Sequence, residues 1–225
     1  MAKKKVGLKV PTANELSKRY GDMIVSASDT KESGLWLPST FFMLNYTFGG
    51  GIPFGKILEV AGEESSGKSL IAYNFAYTTQ QLGGHVIWVD AEQAWMNSWA
   101  QENGIDPNGV TVIRDTRIEN IADALADVAI YWRSQLTHNE PILLVVDSIA
   151  AMDCADNIDS KMVDGKSEMG GRAKALYKFF RIRSELFYKL GITQIYINQL
   201  RTALNVGFGK DNTCLHYDTI IPFVD

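Results

Sequence analysis

The stretch GEESSGKSL, residues 62–70, decides the fold that we expect for this chain. It contains the pattern Gly-x-x-x-x-Gly-Lys-Ser/Thr, in which backbone N–H groups and the N-terminus of a following helix surround phosphate oxygens. An apolar strand is predicted at Ile57–Val60, just before the stretch, and a helix is predicted at Lys68–Gln81. The pattern therefore predicts a phosphate-binding turn between a strand and a helix.

The residues of this turn form the predicted nucleotide-binding set. Glycines let the backbone turn its N–H groups inward, where they bind phosphate oxygens. Lys68 is predicted to reach the β- and γ-phosphates, and the Ser69 hydroxyl is predicted to bind Mg²⁺. The complete set is Gly62, Glu63, Glu64, Ser65, Ser66, Gly67, Lys68 and Ser69.

Strands and helices are predicted to alternate along the rest of the chain. Further apolar strands are expected at His85–Val89, Val110–Ile113, Ile142–Val146 and Ile192–Ile197. Helices are expected at Asn14–Tyr20, Trp95–Asn103, Ile118–Leu136 and Gly171–Leu190. Apolar strands that are separated by helices need crossover connections, which place helices over a mostly parallel sheet. The sequence therefore predicts an α/β fold, a mostly parallel sheet flanked by helices.

Acidic and amide side chains follow several of the predicted strands. The carboxyl ends of parallel strands meet at the ligand crevice, so Asp147 is predicted to hold Mg²⁺; it can also cap the next segment. Glu92 is the better candidate for a general base that activates water, whereas Asp90 can cap a helix. Asn198 and Gln199 can sense the γ-phosphate or form a simple strand-end turn.

Length and composition limit the class of protein. The chain has 225 residues, enough for one sizeable α/β domain, and a formal net charge of −4. Its two cysteines show neither zinc spacing nor a disulfide pattern, and its three histidines are scattered. No apolar run suits a membrane span and no secretory signal is present, so we expect a cytoplasmic protein. Nucleic-acid binding needs only a local basic face, which this net charge permits.

Several segments together carry a resemblance to a known family. They are GGGIPFGKILEVAGEESSGKS at residues 49–69, VDAEQAW at 89–95, LLVVDSIAAM at 143–152 and INQLRTALNVGFG at 197–209. Over about residues 36–213 the chain resembles the RecA DNA recombinases of bacteria and phages. The resemblance implies a P-loop NTPase core that binds ATP and Mg²⁺ and acts as a DNA-dependent ATPase. It also implies filaments on single-stranded and double-stranded DNA, with a role in homologous strand exchange and DNA repair.

The resemblance also implies roles for individual residues. Lys68 and Ser69 match the phosphate-binding lysine and the hydroxyl beside it. Glu92 matches the catalytic glutamate, and Asp147 matches the second acidic motif. Gln199 matches the residue that couples the γ-phosphate to a DNA-binding loop. The implied catalytic set is therefore Glu92, Lys68 and Gln199, with Ser69 and Asp147 as metal ligands.

Two other regions match the family in position. Trp99 lies where the family has an aromatic residue that stacks on adenine, so it joins the implied ATP-binding set. Met96 replaces an Asp that often contacts adenine in the family. Residues 1–35 take the place of an N-terminal arm that docks on the neighbouring subunit, although a solvated tail also fits their composition.

Two loops of the family line the filament axis and hold DNA. The first corresponds to residues 156–172, and the second begins at Arg201. Cations supply phosphate contacts, and Phe208 can pack on bases or only within its loop. The first loop also carries acidic residues, Asp159, Asp164 and Glu168. Taken alone, both segments also fit solvated surface loops. The predicted DNA-binding residues are Lys161, Lys166, Arg172, Arg201, Phe208 and Lys210.

The end of the chain, CLHYDTIIPFVD at residues 214–225, resembles the first block of an intein. In that interpretation Cys214 is the splicing nucleophile: its thiol attacks the Thr213 carbonyl carbon, the peptide bond between Thr213 and Cys214 breaks, and a thioester and a free Cys214 amino group result. The segment is then either the start of a truncated intein or part of a split intein that needs a partner chain. The alternative is a divergent second DNA-binding loop followed by a strand.

The predicted organisation has three parts: an arm at 1–35, an incomplete RecA-like core at 36–213 and the start of a self-splicing intein segment at 214–225. The leading hypothesis is the N-terminal part of an ATP-dependent recombinase within a splicing precursor. Because C-terminal strands of the core are expected to be missing, we expect weak or absent DNA-dependent ATPase activity from this chain alone. Other hypotheses are a different RecA-fold ATPase, such as a hexameric helicase, and a non-enzymatic nucleotide-binding module.

Overall fold

The residues that the computed structural model describes are 12–26, 34–159, 170–202 and 215–216. The chain divides into two compact units, Met1–Gly34 and Leu35–Asp225. The first unit contains helix α1 (Ala13–Tyr20), which starts with a capping box. The Thr12 side chain accepts a hydrogen bond from the N–H of Glu15 at 3.3 Å, and the Glu15 carboxylate accepts one from the N–H of Thr12 at 3.0 Å. These reciprocal bonds satisfy N–H groups that a helix start otherwise leaves unpaired.

The second unit alternates strands and helices. Its strands are β1 (Trp36–Leu37), β2 (Ile52–Pro53), β3 (Ile57–Gly62), β4 (His85–Asp90), β5 (Val110–Ile113), β6 (Ile142–Asp147), β7 (Ile192–Gln199), β8 (Arg201–Thr202) and β9 (Leu215–His216). Its helices are α2 (Phe42–Thr47), α3 (Lys68–Gln81), α4 (Asn97–Glu102), α5 (Ile118–Gln135), α6 (Ala155–Asp159) and α7 (Gly171–Lys189).

The main sheet is parallel throughout, with the strand order β3–β7–β6–β4–β5. Short antiparallel pairs, β1 with β2 and β8 with β9, lie outside it. The prediction of an α/β fold with a mostly parallel sheet is therefore confirmed. Its physical cause is the apolar composition of the central strands, because a strand that is buried on both faces needs helices above and below it.

Two apolar layers cover the faces of the sheet. Successive residues of β4 alternate between them: Ile87 and Val89 belong to one layer, and Val86 and Trp88 belong to the other. Helices α5 and α7 supply the first layer through Ile118, Ile121, Leu125, Leu176, Phe179, Phe180 and Phe187. Helix α3 supplies much of the second layer through Ala72, Tyr73, Phe75 and Ala76. The core therefore fixes both α3 and the sheet strands on which the candidate site stands.

The carboxyl ends of four neighbouring strands meet at one edge of the sheet. Gly62 of β3 lies opposite Gln199 of β7, and Asp90 of β4 lies opposite Asp147 of β6. Each of these strands runs one or two residues further than the sequence predicted. Asp90, Asp147, Asn198 and Gln199 are thus paired with neighbouring strands of the sheet, which restricts their positions more than a loop would, whereas Glu92 lies in the turn after β4.

Residues 36–53 form elements that the sequence did not predict. Strands β1 and β2 pair around α2, and a glycine-rich turn leads into β2. Gly51 has φ +137°, and a Cβ there would lie only 2.2 Å from the carbonyl oxygen of Leu37. Glycine is required at this position because the backbone of the two strands approaches too closely for any side chain.

Several predictions lie outside the described residues. These are the side-chain roles of Lys161, Lys166, Phe208, Lys210 and Cys214, and for Arg201 only the backbone in β8 is described.

Helix α4 begins at Asn97 rather than at Trp95, and α5 ends at Gln135. Among the described residues, no helix combines the length and the apolar character that crossing a membrane requires.

Candidate functional site

The phosphate-binding turn joins the end of β3 to the start of α3. Gly67 adopts φ +86°, a left-handed conformation that suits glycine, and it directly precedes the first residue of the helix. The Lys68 ammonium lies over the turn and donates a hydrogen bond to the Glu63 carbonyl oxygen at 2.5 Å. A Cβ at Gly62 would come within 2.7 Å of Ser66 Oγ. The turn is thus a tight backbone cradle that ends in a helix N-terminus, as an anion site requires.

Asp147 closes β6 beside this cradle. The Ser69 side chain lies close enough to this carboxyl group to lower its pKa, so the two predicted metal ligands are brought together. The pKa of Asp147 is raised to about 6, chiefly because its carboxyl group is buried and also because Glu92 and Asp90 carry negative charge, while Ser69 and Lys68 act in the opposite direction. The site thus concentrates negative charge next to a serine hydroxyl, an arrangement that a divalent cation would neutralise.

Glu92 lies in the turn after β4 and is exposed, yet its carboxylate is held in place. Gln199 Nε2 donates a hydrogen bond to Glu92 Oε1 at 2.8 Å, and Ser148 Oγ donates a second one to the same oxygen. The N–H of Ala91 also donates to the Asp147 carbonyl at 3.0 Å, which ties this turn to the end of β6. Three strand ends therefore position one carboxylate.

Asp90 has a structural role in the same turn. It is 2% exposed, and its carboxylate accepts hydrogen bonds from the N–H of Ala94 at 2.8 Å and of Trp95 at 3.2 Å. Arg114 Nε lies 3.4 Å from the same carboxylate. Asp90 therefore caps the turn and leaves Glu92 as the accessible carboxylate. The two alternatives that the sequence left open for Asp90 and Glu92 are thus distinguished by burial.

The amide pair at the end of β7 is divided between two tasks. Asn198 is buried, and its Nδ2 donates to Glu59 Oε1 on the neighbouring β3 at 2.9 Å. Gln199 points its amide at Glu92 instead. Only Gln199 therefore belongs to the cluster of polar side chains at the sheet edge.

Trp99 lies on α4 with 44% of its surface exposed, next to Met96, which is also exposed. One turn further, the Asn103 side chain donates to the Trp99 carbonyl at 2.8 Å. Asn103, the residue after α4, lines a cavity of about 230 Å³ together with Thr40, Phe41 and the α3 residues Leu70, Asn74 and Tyr77.

Two residues of the predicted first DNA loop make internal contacts. The guanidinium of Arg172 donates to the carbonyl oxygens of Met152 at 2.8 Å and of Ile149 at 3.1 Å. Asp159 forms a bidentate ion pair with Arg117, whose Nη1 lies 2.9 Å from Asp159 Oδ2. The pair neutralises one of the acidic charges of this predicted loop, and Arg172 makes three hydrogen bonds to backbone carbonyl oxygens.

A basic face on α7, the helix that begins where this loop ends, was not identified from the sequence. Lys174, Tyr177, Lys178 and Arg181 are all exposed, and their spacing of three and four residues puts them on one side of the helix. Among the described residues none of these three cations has an acidic partner, whereas Lys189 on the same helix pairs with Glu185 at 2.6 Å. The repeat was readable in the sequence as K-x-x-Y-K-x-x-R.

Ser148 is the second functional candidate that sequence reasoning missed. It is completely buried, and its hydroxyl contacts Glu92. Its place after Asp147 was visible in the sequence, but its partner lies 56 residues away along the chain. A contact of this kind depends on the strand order, which has β4 beside β6.

Comparisons with known proteins agree with this geometry. The RecA N-terminal domain family matches residues 10–219. Protein RecA of Mycoplasma mycoides is 31% identical over 202 residues, which cover 88% of this chain and 56% of the relative. Protein RecA of Clostridium beijerinckii is 36% identical over 167 residues, which cover 73% of this chain and 43% of the relative.

The chain spans about half the length of the curated relatives it matches. The family match runs past Thr213 to residue 219, so it gives no support to a boundary at Cys214. It nevertheless covers nearly the whole chain, including every strand of the main sheet and the candidate site. The chain belongs to the RecA family.

Proposed function

We propose that this chain is the N-terminal part of an ATP-dependent DNA recombinase that carries the ATP-hydrolysing site of the protein. The observation that carries the proposal is the contact between Gln199 and Glu92 beside the phosphate-binding turn. This contact links Glu92, which can orient a water molecule, with strand β7. That strand leads into the second predicted DNA-binding loop. Relatives named Protein RecA support the same function, which we extend to this chain together with a cytoplasmic location.

The site fits ATP with Mg²⁺. Lys68 and the N–H groups of the turn bind the phosphates, and Trp99 is the proposed stacking partner of the adenine. Ser69 and Asp147 hold the metal, which supplies neutralisation of phosphate charge when bound. Among the described residues no group of three or more His, Cys, Asp or Glu side chains is placed to hold a metal. A ligand set completed by phosphate oxygens and water is typical of Mg²⁺.

Glu92 is the proposed general base. Among the described residues both of its side-chain hydrogen bonds go to Oε1, so Oε2 has no protein donor. A water molecule attacks the γ-phosphorus and gives a proton to Oε2, while the bond from that phosphorus to the β–γ bridging oxygen breaks and ADP leaves. Lys68 stabilises the negative charge that moves onto the bridging oxygen. The hydrogen bonding of Gln199 changes when the γ-phosphate is present, and this change alters the conformation of the loop that begins at Arg201.

DNA is proposed to bind along the two loops and the basic face of α7. Lys174, Lys178 and Arg181 give this face three exposed cations, and Tyr177 between them offers a ring for base stacking. Along the chain, this face begins two residues after Arg172, the last residue of the predicted first loop. The loop residues in this proposal are Lys161, Lys166, Arg172, Arg201, Phe208 and Lys210, which contact single-stranded DNA and, during strand exchange, double-stranded DNA.

The test of the proposed function uses the assembled protein, in which this chain is joined to the part that its relatives carry beyond it. We expect ATP hydrolysis that single-stranded DNA stimulates, and filaments on DNA in electron micrographs. Closed rings with DNA unwinding would favour a hexameric helicase instead. Nucleotide binding without hydrolysis would favour a binding module.

We further propose that this chain is the N-terminal extein part of a splicing precursor, with residues 1–35 as a docking arm and 214–225 as the start of the intein. The support is the resemblance of the segment after Thr213 to a first intein block, with Cys214 as nucleophile. Peptide mapping of the mature protein tests this: a peptide that joins Thr213 to new residues supports splicing, and one that reads through Thr213–Cys214–Leu215 contradicts it.

A further inference from the structure

Ser148 stands out among the buried polar residues around the site. It follows Asp147 at the end of β6, it is 0% exposed, and its hydroxyl donates a hydrogen bond to Oε1 of Glu92. Gln199 donates to the same atom at 2.8 Å. One carboxylate oxygen thus has two donors that come from different strands.

The Ser148 hydroxyl is not used to cap the segment that follows it. Ser148 precedes a short 3₁₀ helix, Ile149–Ala151, at a position where a serine side chain commonly bonds the first N–H groups. Here it makes no such bond, and the Ser148 backbone carbonyl accepts the N–H of Ala151 at 3.1 Å instead. The contact with Glu92 is therefore the polar interaction that this hydroxyl makes among the described residues.

The two donors on Glu92 differ in mobility. Ser148 has a short, completely buried side chain directly after strand β6, which leaves its hydroxyl little room to move. Gln199 is half-buried at the end of its strand, and its longer side chain can turn toward a ligand. The charged oxygens of a γ-phosphate can accept hydrogen bonds from the same amide N–H groups. Charge-assisted hydrogen bonds of this kind are strong.

We infer that Ser148 is a positioning residue that keeps Glu92 aligned when Gln199 is drawn to the γ-phosphate. The inference rests on the proposed function and deepens it. Ser148 holds Oε1, and this leaves Oε2 for the attacking water. Asp147 and Ser148 are consecutive, so the end of β6 carries both the proposed metal ligand and the group that aligns the base. A small error in the position of a catalytic group costs rate without loss of substrate binding.

The experiment compares Ser148→Ala with the wild type in the assembled protein, with ATP and single-stranded DNA. We expect kcat to fall by about tenfold while the dissociation constant for Mg·ATP changes by less than about twofold. Ser148→Cys, which is close in size and keeps a weak donor, should recover part of the rate. The control is Ser184→Ala, a buried serine of α7 whose hydroxyl has no partner among the described residues. An unchanged kcat, or equal losses in Ser184→Ala, would overturn the inference.

A second measurement separates this inference from the proposed function. Melting temperatures of Ser148→Ala, Glu92→Ala and the double variant of this chain form a cycle that needs no hydrolysis. If the two side chains interact, the double variant loses less than the sum of the single losses. Additive losses would overturn the contact itself. An assembled protein that binds ATP and does not hydrolyse it would overturn the proposed function and, with it, the role of Ser148, even with coupled melting temperatures.

Discussion

Gln199 Nε2 donates a 2.8 Å hydrogen bond to Glu92 Oε1, so the last residue of β7 holds the carboxylate that follows β4. The two strands are not neighbours in the sheet, because β6 lies between them. The contact therefore bridges a strand at the site where ATP is proposed to be hydrolysed. Two residues after Gln199, at Arg201, the second predicted DNA-binding loop begins.

Replacement of Gln199 by Ala should separate hydrolysis from its response to DNA. In the assembled protein we expect Gln199→Ala to bind Mg·ATP with an affinity within about threefold of the wild type. Its ATP turnover should stay near the DNA-free level when single-stranded DNA is added, because the amide that responds to the γ-phosphate is gone. Gln135→Ala, an exposed glutamine on α5, is the matched control. Normal DNA stimulation of Gln199→Ala would contradict the proposed coupling.

Asp147 should make the nucleotide-free fold less stable at neutral pH. Its pKa is raised from 3.8 to about 6 in the folded chain, so the contribution of Asp147 to stability is greatest below about pH 4 and is lost as the pH rises through 6. Asp147→Asn removes this cost, and we expect its free energy of unfolding to exceed the wild-type value by on the order of 2–3 kcal/mol at pH 7.5. The advantage should shrink toward pH 4.

Urea unfolding without nucleotide at both pH values measures this effect, with Asp127→Asn on the exposed side of α5 as the control. Asp147→Asn should also lose the stabilisation that Mg·ATP gives the wild type, because its amide replaces the proposed metal ligand. An Asn variant that is less stable than the wild type at pH 7.5, or equally stabilised by Mg·ATP, would argue against this description of the site.

His85 should contribute stability with the opposite dependence on pH. It is 5% exposed, stacks on Trp132 with ring centroids 3.5 Å apart and is hydrogen-bonded to Thr111 at 2.8 Å. Burial lowers its pKa from 6.5 to about 4, so the stability from neutral His85 is present above pH 6.5 and is lost as the pH falls toward 4.

For His85→Gln we expect lower stability at pH 7 through weaker packing, and a flatter dependence on pH below that. The loss of unfolding free energy between pH 7 and 4.5 should be smaller than in the wild type by about 2–3 kcal/mol. Denaturant unfolding across this range measures it, and His138→Gln, at an exposed position, is the control. An identical pH dependence in His85→Gln and the wild type would show that His85 titrates normally.

The basic face of α7 should contribute to DNA affinity through charge. The triple variant Lys174→Gln, Lys178→Gln, Arg181→Gln should bind single-stranded DNA more weakly than the wild type. The slope of log affinity against log salt should fall in magnitude by about 0.7 for each phosphate that is no longer neutralised, or by about 2 in total. Fluorescence anisotropy with a labelled oligonucleotide measures both quantities in the assembled protein. Lys189→Gln, on the same helix but paired with Glu185, should leave the affinity and the slope unchanged. A triple variant with the wild-type slope would show that this face does not bind DNA.

The parallel sheet could be predicted because its signals are local. Strands such as Ile142–Val146 are apolar throughout, which distinguishes buried parallel strands from half-exposed ones. The turn at Gly62–Ser69 has a fixed spacing that depends on backbone geometry alone. The sequence alone did not decide between Asp90 and Glu92 as the carboxylate that activates water. In the folded chain Asp90 is buried and has a structural role.

Other features depend on contacts between distant residues and could not be predicted. The partner of Ser148 follows from the strand order, which a single sequence does not specify. Strands β1 and β2 are two residues long and are stabilised by their packing on α3, so no periodic pattern marks them. The three carbonyl oxygens that Arg172 bonds, those of Ile149, Ala150 and Met152, lie 20 to 23 residues earlier in the chain, so these contacts could not be read from the residues around Arg172.

The central claim is that this chain binds ATP through Lys68 and hydrolyses it through Glu92. Its most direct test is the pair Lys68→Ala and Glu92→Gln in the assembled protein, with the nucleotide dissociation constant and kcat measured in the presence of single-stranded DNA. We predict that Lys68→Ala weakens ATP binding at least about tenfold. We predict that Glu92→Gln binds ATP like the wild type while kcat falls by about 10²- to 10³-fold. Wild-type turnover in Glu92→Gln would contradict the account, because a residue other than Glu92 would then activate the water.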